Sequence, residues 1–176
     1  MLLTPPLAEV EGHSFCTRLP TTTEAVRQAV LDTRGWLDTL DLLQDDLCSL
    51  EIMLAEALNN IVEHSNAPEG ALIDLNVEVG QRRAICWIRD FGTPCDVLTK
   101  PIAAVAPESA KIALLPEGGF GVALIQSIAS EIEYLPVERG NFLVLTMPLT
   151  TNPVQIYRNQ GDCPKDSTNQ SKSRRH

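Results

Sequence analysis

The chain is predicted to fold as an α+β two-layer sandwich, with helices on one face of a mixed, mostly antiparallel sheet. Two periodicities and one element order carry this. Residues 71–79 alternate without a break, apolar at 71, 73, 75, 77 and 79 and polar at Asp74, Asn76 and Glu78, which is a strand with one wet face. Leu47, Leu50, Leu54, Leu58 and Ile61 recur at three- and four-residue steps, which is one apolar stripe of a helix. The whole chain then reads strand, two helices, hairpin, loop, helix, hairpin.

The elements follow in that order. Residues 1–11 are proline-rich and loose, and His13 to Leu19 form a first strand. Thr21 and Glu24 have the spacing of a capping box. Val26, Val30, Thr33, Leu37 and Leu40 then continue at helical spacing, so a helix covers 22–40. A link over Asp41–Asp46 leads to the leucine-striped helix, which ends at Asn66-Ala-Pro-Glu-Gly70. After the 71–79 strand, Gly80-Gln-Arg turns the chain into a returning strand from Ala84 to Arg89. Residues 95–117 contain Pro101, Pro107 and Pro116 and hold no period, as a lid or binding loop would. A helix begins at Gly118-Gly-Phe-Gly121, with Leu124, Ile125, Ile128 and Ile132 assigned to one face. Tyr134–Val137 and Asn141–Pro148 make a last hairpin about Glu138-Arg-Gly140. Residues 12–150 are thus one folded unit, and 151–176 a polar tail predicted to be disordered.

Composition excludes several classes. The 176 residues are 44% hydrophobic and 21% charged, the balance of an ordinary globule with a real core. No apolar run approaches the roughly 18 residues of a membrane span. The N-terminus lacks a basic region and carries Glu9 and Glu11, unlike a signal peptide, so a cytoplasmic location without membrane attachment is expected. Five scattered cysteines and three scattered histidines argue against a disulfide framework and against zinc. A metal here should be a hard cation held by oxygen and by a ligand's phosphates. The net charge of −9 is uneven: the last 27 residues contribute +3, leaving a body of −12. Such a body repels phosphate backbones, which disfavours direct nucleic-acid binding and favours basic segments of another protein.

Three stretches could carry chemistry. In the second helix, Glu56, Asn60 and Glu63 lie opposite the leucine stripe, while Ile52 and Met53 make that same side apolar just before them. A helix covered on both sides would hold a carboxylate and an amide, one turn apart, in a cleft; a polar outer face with local pairing is the plainer alternative. Gly118-Gly119-Phe120-Gly121 at a helix start suits a phosphate, since glycine permits close approach and first-turn amides attract anions. A hinge is the alternative, and a Rossmann loop is excluded because no strand leads directly into the glycines. Asp90-x-Gly92 at a strand end could accept a hydrogen bond from an exocyclic amine such as adenine N6, with Gly92 letting a ring lie on the backbone. An Asx turn is the alternative. The string Asp90-Phe91-Gly92 also spells a protein-kinase metal motif, but no catalytic-loop motif precedes it and the glycine-rich segment follows it.

Together, Glu56-x-x-x-Asn60, Asp90-x-Gly92-x-Pro94 and Gly119-x-Gly121-x-x-Leu124 resemble, in order, the N, G1 and G2 boxes of the GHKL (Bergerat-fold) ATPases. The resemblance spans about residues 12–150. Asn60-Ile-Val-Glu-His64 and Gly118-Gly-Phe-Gly-Val-Ala-Leu-Ile125 look most like the anti-sigma-factor serine/threonine kinases of that superfamily. The resemblance implies ATP and Mg²⁺ as cofactors, with Asn60 as metal ligand and Glu56 as general base. Asp90 would take adenine, and Gly92, Gly119, Gly121 and Leu124 would complete the nucleotide site. Many such kinases carry a basic residue near the place of Phe120; here a cation for the γ-phosphate would have to come from Lys100 or Lys111. His64 invites a phosphoacceptor role, but the family places that histidine on a separate helical domain, and a packed or hydrogen-bonded histidine is the plainer reading. The implied activity is a kinase that doubles as an anti-sigma factor in a partner-switching pathway, phosphorylating an anti-sigma-factor antagonist. A homodimer and a sigma-factor partner are implied with it. Two alternatives stay open: a nucleotide-gated binding module without kinase activity, and a free histidine-kinase-like ATPase domain.

Overall fold

The computed structural model describes residues 12–94 and 120–150. They form β1 (His13–Pro20), α1 (Thr23–Leu37), α2 (Gln44–His64), β2 (Leu72–Val79), β3 (Arg83–Asp90), α3 (Phe120–Ile128), β4 (Glu131–Val137) and β5 (Gly140–Pro148). The five strands make one sheet in the order β1-β2-β3-β5-β4. Each neighbouring pair is antiparallel. The mixed character expected from the sequence resolves into a simpler arrangement. β3 and β4 run in the same direction, but β5 folds back as a hairpin into the gap between them, so no parallel pair touches. The lid expected at 95–117 and the tail at 151–176 lie outside the described residues.

Alternation decides which face meets the helices. Ile73, Leu75 and Val77 of β2 are buried, and their register partners Ile88 and Cys86 of β3 and Leu143 and Leu145 of β5 are buried with them. Against this face lie Leu50, Met53, Leu54 and Leu58 of α2, Leu37 of α1 and Ile125 of α3, each essentially without exposure. Burying a side chain of this kind stabilises the fold by ~1.5–3 kcal/mol. At the sheet edge Phe15 of β1 stacks on Trp36 of α1, with ring centroids 5.5 Å apart.

Several boundaries differ from expectation for identifiable reasons. Thr22, not Thr21, caps α1, its hydroxyl accepting from the Ala25 amide at 3.3 Å. Thr21 is engaged elsewhere: its amide and hydroxyl both donate to the Ala71 carbonyl, tying α1's entry to β2. α1 stops at Leu37 rather than 40, where the Asp38 amide bonds back to Arg34 and Thr39 to Trp36. α2 starts at Gln44, taking in the last three residues of the expected link, and Asp46 in its first turn is held by Thr150: its carboxylate accepts from the Thr150 amide at 2.9 Å and hydroxyl at 3.1 Å. On α2 the expected second apolar flank is only half realised, with Met53 buried and Ile52 43% exposed. Leu124 and Ile132 do not share α3's buried face. Leu124 is 42% exposed, Val122 and Ile125 turn inward instead, and Ile132 already belongs to β4.

Candidate nucleotide site

The long helix α2 supplies one wall. Its leucine stripe faces the sheet, so Glu56 and Asn60 emerge one turn apart on the side that meets α3. Glu56 is half-buried, and Asn60 is 6% exposed. Asn60 Nδ2 is buried without a hydrogen-bond partner, which costs ~1–3 kcal/mol if nothing fills the place.

Gly121, in the first turn of α3, closes against both. A Cβ there would run into the Glu56 carboxylate oxygen and stand 3.6 Å from Asn60 Nδ2. The structure therefore brings Glu56, Asn60 and Gly121 into one place. First-turn amides of a helix are unpaired within it and attract anions.

A second group of expected site residues is built where α2 stops. Ser65 follows its last residue, and the Ser65 carbonyl accepts from the Thr93 amide at 2.6 Å and hydroxyl at 3.0 Å. Gly92 presses on Ser65 so closely that a Cβ would meet the Ser65 carbonyl oxygen, with Ser65 Cβ at 2.5 Å. Glycine is required here by that contact. Asp90, the last residue of β3, is 4% exposed. Its Oδ1 accepts from the Gly92 amide at 2.8 Å, which is the Asx turn that the sequence offered as the plainer reading. The turn fixes the direction of the carboxylate. From Glu56 to Ser65, α2 rises ~13 Å at about 1.5 Å per residue, which is the separation along the helix between the Glu56–Asn60–Gly121 group and the Asp90–Gly92 turn.

Asn141 escaped the sequence reading. It is the second residue of β5, fully buried, and its Nδ2 donates to Asp90 Oδ1 at 3.0 Å, with the Gly92 and Thr93 carbonyls at 3.2 and 3.4 Å. One signal was available: Asn141 occupies the inward register of 143, 145 and 147, where an apolar residue is expected. Ser65 was missed as well, and its Oγ is also buried without a partner. Leu124 stands exposed on α3. Gly119, Lys100 and Lys111 lie outside the described residues. His64 is half-exposed, with Nε2 3.8 Å from the Glu63 carboxylate, which itself points to solvent. Neither joins the Glu56–Asn60–Gly121 group.

Asn60 is the residue expected from the sequence to hold a hard cation. No group of three or more His, Cys, Asp or Glu side chains that could hold a metal occurs among the described residues. The unpartnered atom of Asn60 is Nδ2, a donor that calls for an acceptor such as a phosphate oxygen; a hard cation would be held by the oxygen of the same carboxamide. Cys86, deep in β3, offers no alternative chemistry, because complete burial pushes its thiol up to about 12.

The sequence profile described as histidine kinase-like ATPase domain matches residues 19–147, nearly the whole described fold. The chain belongs to this family. A relative of the domain is the serine-protein kinase RsbW of Staphylococcus epidermidis, 30% identical over 118 residues, covering 65% of this chain and 74% of that protein. RsbW of Halalkalibacterium halodurans is 27% identical over 137 residues, covering 77% and 83%. Among solved structures, the RsbU and RsbW domains of a Mycobacterium tuberculosis protein superpose with a TM-score of 0.54 at 18% identity, over 78% of this chain and 32% of that longer one. That likeness is one of fold. It agrees with the GHKL architecture read from the three boxes. No helix among the described residues is long and apolar enough to cross a membrane.

Proposed function

We propose that this histidine kinase-like ATPase domain is an ATP- and Mg²⁺-dependent serine/threonine protein kinase that also acts as an anti-sigma factor. It would phosphorylate an anti-sigma-factor antagonist and, as a homodimer, bind a sigma factor in the alternative state. The observation that carries the catalytic part is the contact of Gly121 with the Glu56 carboxylate and the Asn60 amide. The RsbW relatives, named serine-protein kinases, support the substrate class.

In this reading Asp90 takes the exocyclic amine of adenine and Gly92 lies beneath the ring. The first turn of α3, with Gly121, takes the phosphates. Asn60 would hold Mg²⁺ through its carbonyl oxygen, and the ion would supply charge neutralisation at the phosphates. Glu56 orients the incoming serine hydroxyl and accepts its proton. The serine oxygen bonds to the γ-phosphorus, the bond to the β–γ bridging oxygen breaks, and ADP leaves with that electron pair. Asn60 and Glu56 are separated by one helical turn, so one rigid element would present both the metal-holding amide and the base. The acidic body favours a basic surface on the partner.

Labelled γ-phosphate transfer from ATP to an antagonist encoded nearby tests this directly. Glu56→Gln is expected to lower transfer ~10²–10⁴-fold, the usual contribution of a positioned base, while ATP affinity changes little. Transfer that survives Glu56→Gln would remove the assigned base. The exposed Phe120 at the start of α3, where related kinases carry a cation, favours a second reading in which ATP occupancy only gates partner binding. Partner exchange on ATP addition, with no labelled antagonist, would establish that reading instead.

A further inference from the structure

An antiparallel sheet covered by helices on one face ordinarily keeps polar residues on the other. Here the outer face departs from that rule. Its rows follow from the strand register, and across β3, β5 and β4 two of them read Trp87–Val144–Glu133 and Arg89–Phe142–Leu135. β3 thus carries an aromatic and a cationic group, β5 an apolar column, and β4 a carboxylate beside Leu135, which is 52% exposed.

Two donors on this face are unsatisfied. Trp87 Nε1 and Arg89 Nε are buried with no hydrogen-bond partner, a costly state for a polar group. The Arg89 guanidinium stands 4.7 Å from the Phe91 ring centroid and 5.2 Å from that of Phe142. Its register neighbour is Asp74, but both Asp74 oxygens accept from Arg18 instead. Arg89 therefore makes no ion pair among the described residues. Neither does Glu133, exposed on the edge strand β4. Unpaired charges of opposite sign share one face, two strand spacings or ~10 Å apart, and do not meet.

We propose that this outer face is the contact between two copies of the chain, with a two-fold axis running along β5. Such an axis lays the β3 column of each copy on the β4 column of the other. Trp87 then faces Glu133 of the second copy, and Arg89 faces Leu135 with that same Glu133 one row away. Val144 and Phe142 meet their own counterparts at the axis. Every contact is made twice, as isologous symmetry requires. The stacked sheets would lie ~10 Å apart, and Trp, Phe and Arg are the residues that interface cores favour. The occupant is a second copy rather than a foreign chain because the face itself supplies both the donors and the acceptor they lack. The inference names the surface of the homodimer in the proposed function and rests on that part of it.

Sedimentation equilibrium on the full chain reads the dimer dissociation constant. Arg89→Glu is expected to raise it ~30-fold or more, the cost of breaking a desolvated charge pair, and Glu133→Arg should do the same. Combining Arg89→Glu with Glu133→Arg restores opposite signs across the contact and should bring the dimer back to within ~10-fold of the unaltered protein. Arg27→Glu, at an exposed position on α1, makes the same change in net charge within the helix layer and should leave association unchanged. Leu135→Lys, at an exposed position opposite Arg89 of the second copy, should also give monomers and serves if Arg89→Glu does not fold. A dissociation constant unmoved by Arg89→Glu or by Leu135→Lys would overturn this surface and leave the homodimer standing. So would a double variant no tighter than either single one, or an equal loss in Arg27→Glu. An unaltered chain that stays monomeric up to its solubility limit would overturn the homodimer itself, and this inference with it.

Discussion

Adding one methyl group at Gly121 or at Gly92 has different consequences, because what stands in its way differs. At Gly121 the obstacle is the tip of the Glu56 side chain, which can swing aside. Gly121→Ala should therefore leave the melting temperature nearly unchanged and reduce phosphate transfer by an order of magnitude or more, ~10-fold at least. At Gly92 the obstacle is the Ser65 backbone carbonyl, itself bonded twice to Thr93. It cannot yield without breaking the junction of α2 and β3. Gly92→Ala should destabilise the fold by ~1–3 kcal/mol in a chemical-denaturation midpoint, and weaken ATP binding as well. Glu56 and Asn60 were legible in the sequence because helical period alone placed them one turn apart. Asn141 was not, since its partner Asp90 lies 51 positions away and only the β3–β5 register joins them.

At the scale of elements, α2 supports both ends of the site and part of the core, so its own anchoring matters. Its N-cap, Leu43, provides no side-chain hydrogen bond. Asp45 and Asp46 in the first turn complement the helix dipole, and Asp46 holds Thr150 just beyond β5. Asp46→Ala should cost ~1–3 kcal/mol in unfolding free energy, the range for losing hydrogen bonds to a charged group. Asp46→Asn, which can keep an acceptor for the Thr150 amide, should cost less. Farther along, Arg34 of α1 joins α2 through Glu51 at 2.7 Å while also holding Asp38 at 2.9 Å. The Asp38 hydrogen bond, chiefly, raises its already high pKa. Both contacts involve partly exposed carboxylates, so each stabilises the fold only modestly, and only the Glu51 pair joins the two helices. The expected Thr21–Glu24 capping box failed at this scale. Thr21 had a competing acceptor in Ala71, a residue of the β2 approach that no local pattern could reveal.

At the scale of the whole molecule, the described helices cover one face of the sheet, and the centre of that face is buried. Cys86 lies there with no exposure, and burial pushes its thiol up to about 12 from an ordinary 9.0. Mass-mapped alkylation at pH 8 should label Cys16 and Cys48, which are exposed, and should reach Cys86 only after denaturant unfolds the chain. Labelling of Cys86 in the native protein would show that the sheet opens locally. The sign of the linkage is also set. The folded thiol ionises later than the unfolded one, so any stability from keeping it neutral is complete below pH 9.0 and declines as pH rises towards about 12.

Local periodicity by itself determined the architecture. Alternation in β2, the leucine stripe of α2 and the glycine-rich start of α3 depend on neighbours two to four positions apart, and those distances are fixed by strand and helix geometry. The family followed from the order of three short motifs along the chain. Only the tertiary structure decided what those motifs do to one another. Gly121 against Glu56, Gly92 against Ser65 and Asn141 against Asp90 are contacts between distant segments, each set by the β3–β5 register or by the packing of α2 with α3 and β3. The wholly antiparallel sheet was decided the same way, since β5 folding between β3 and β4 is a choice of pairing, and pairing is invisible to a pattern read along one strand.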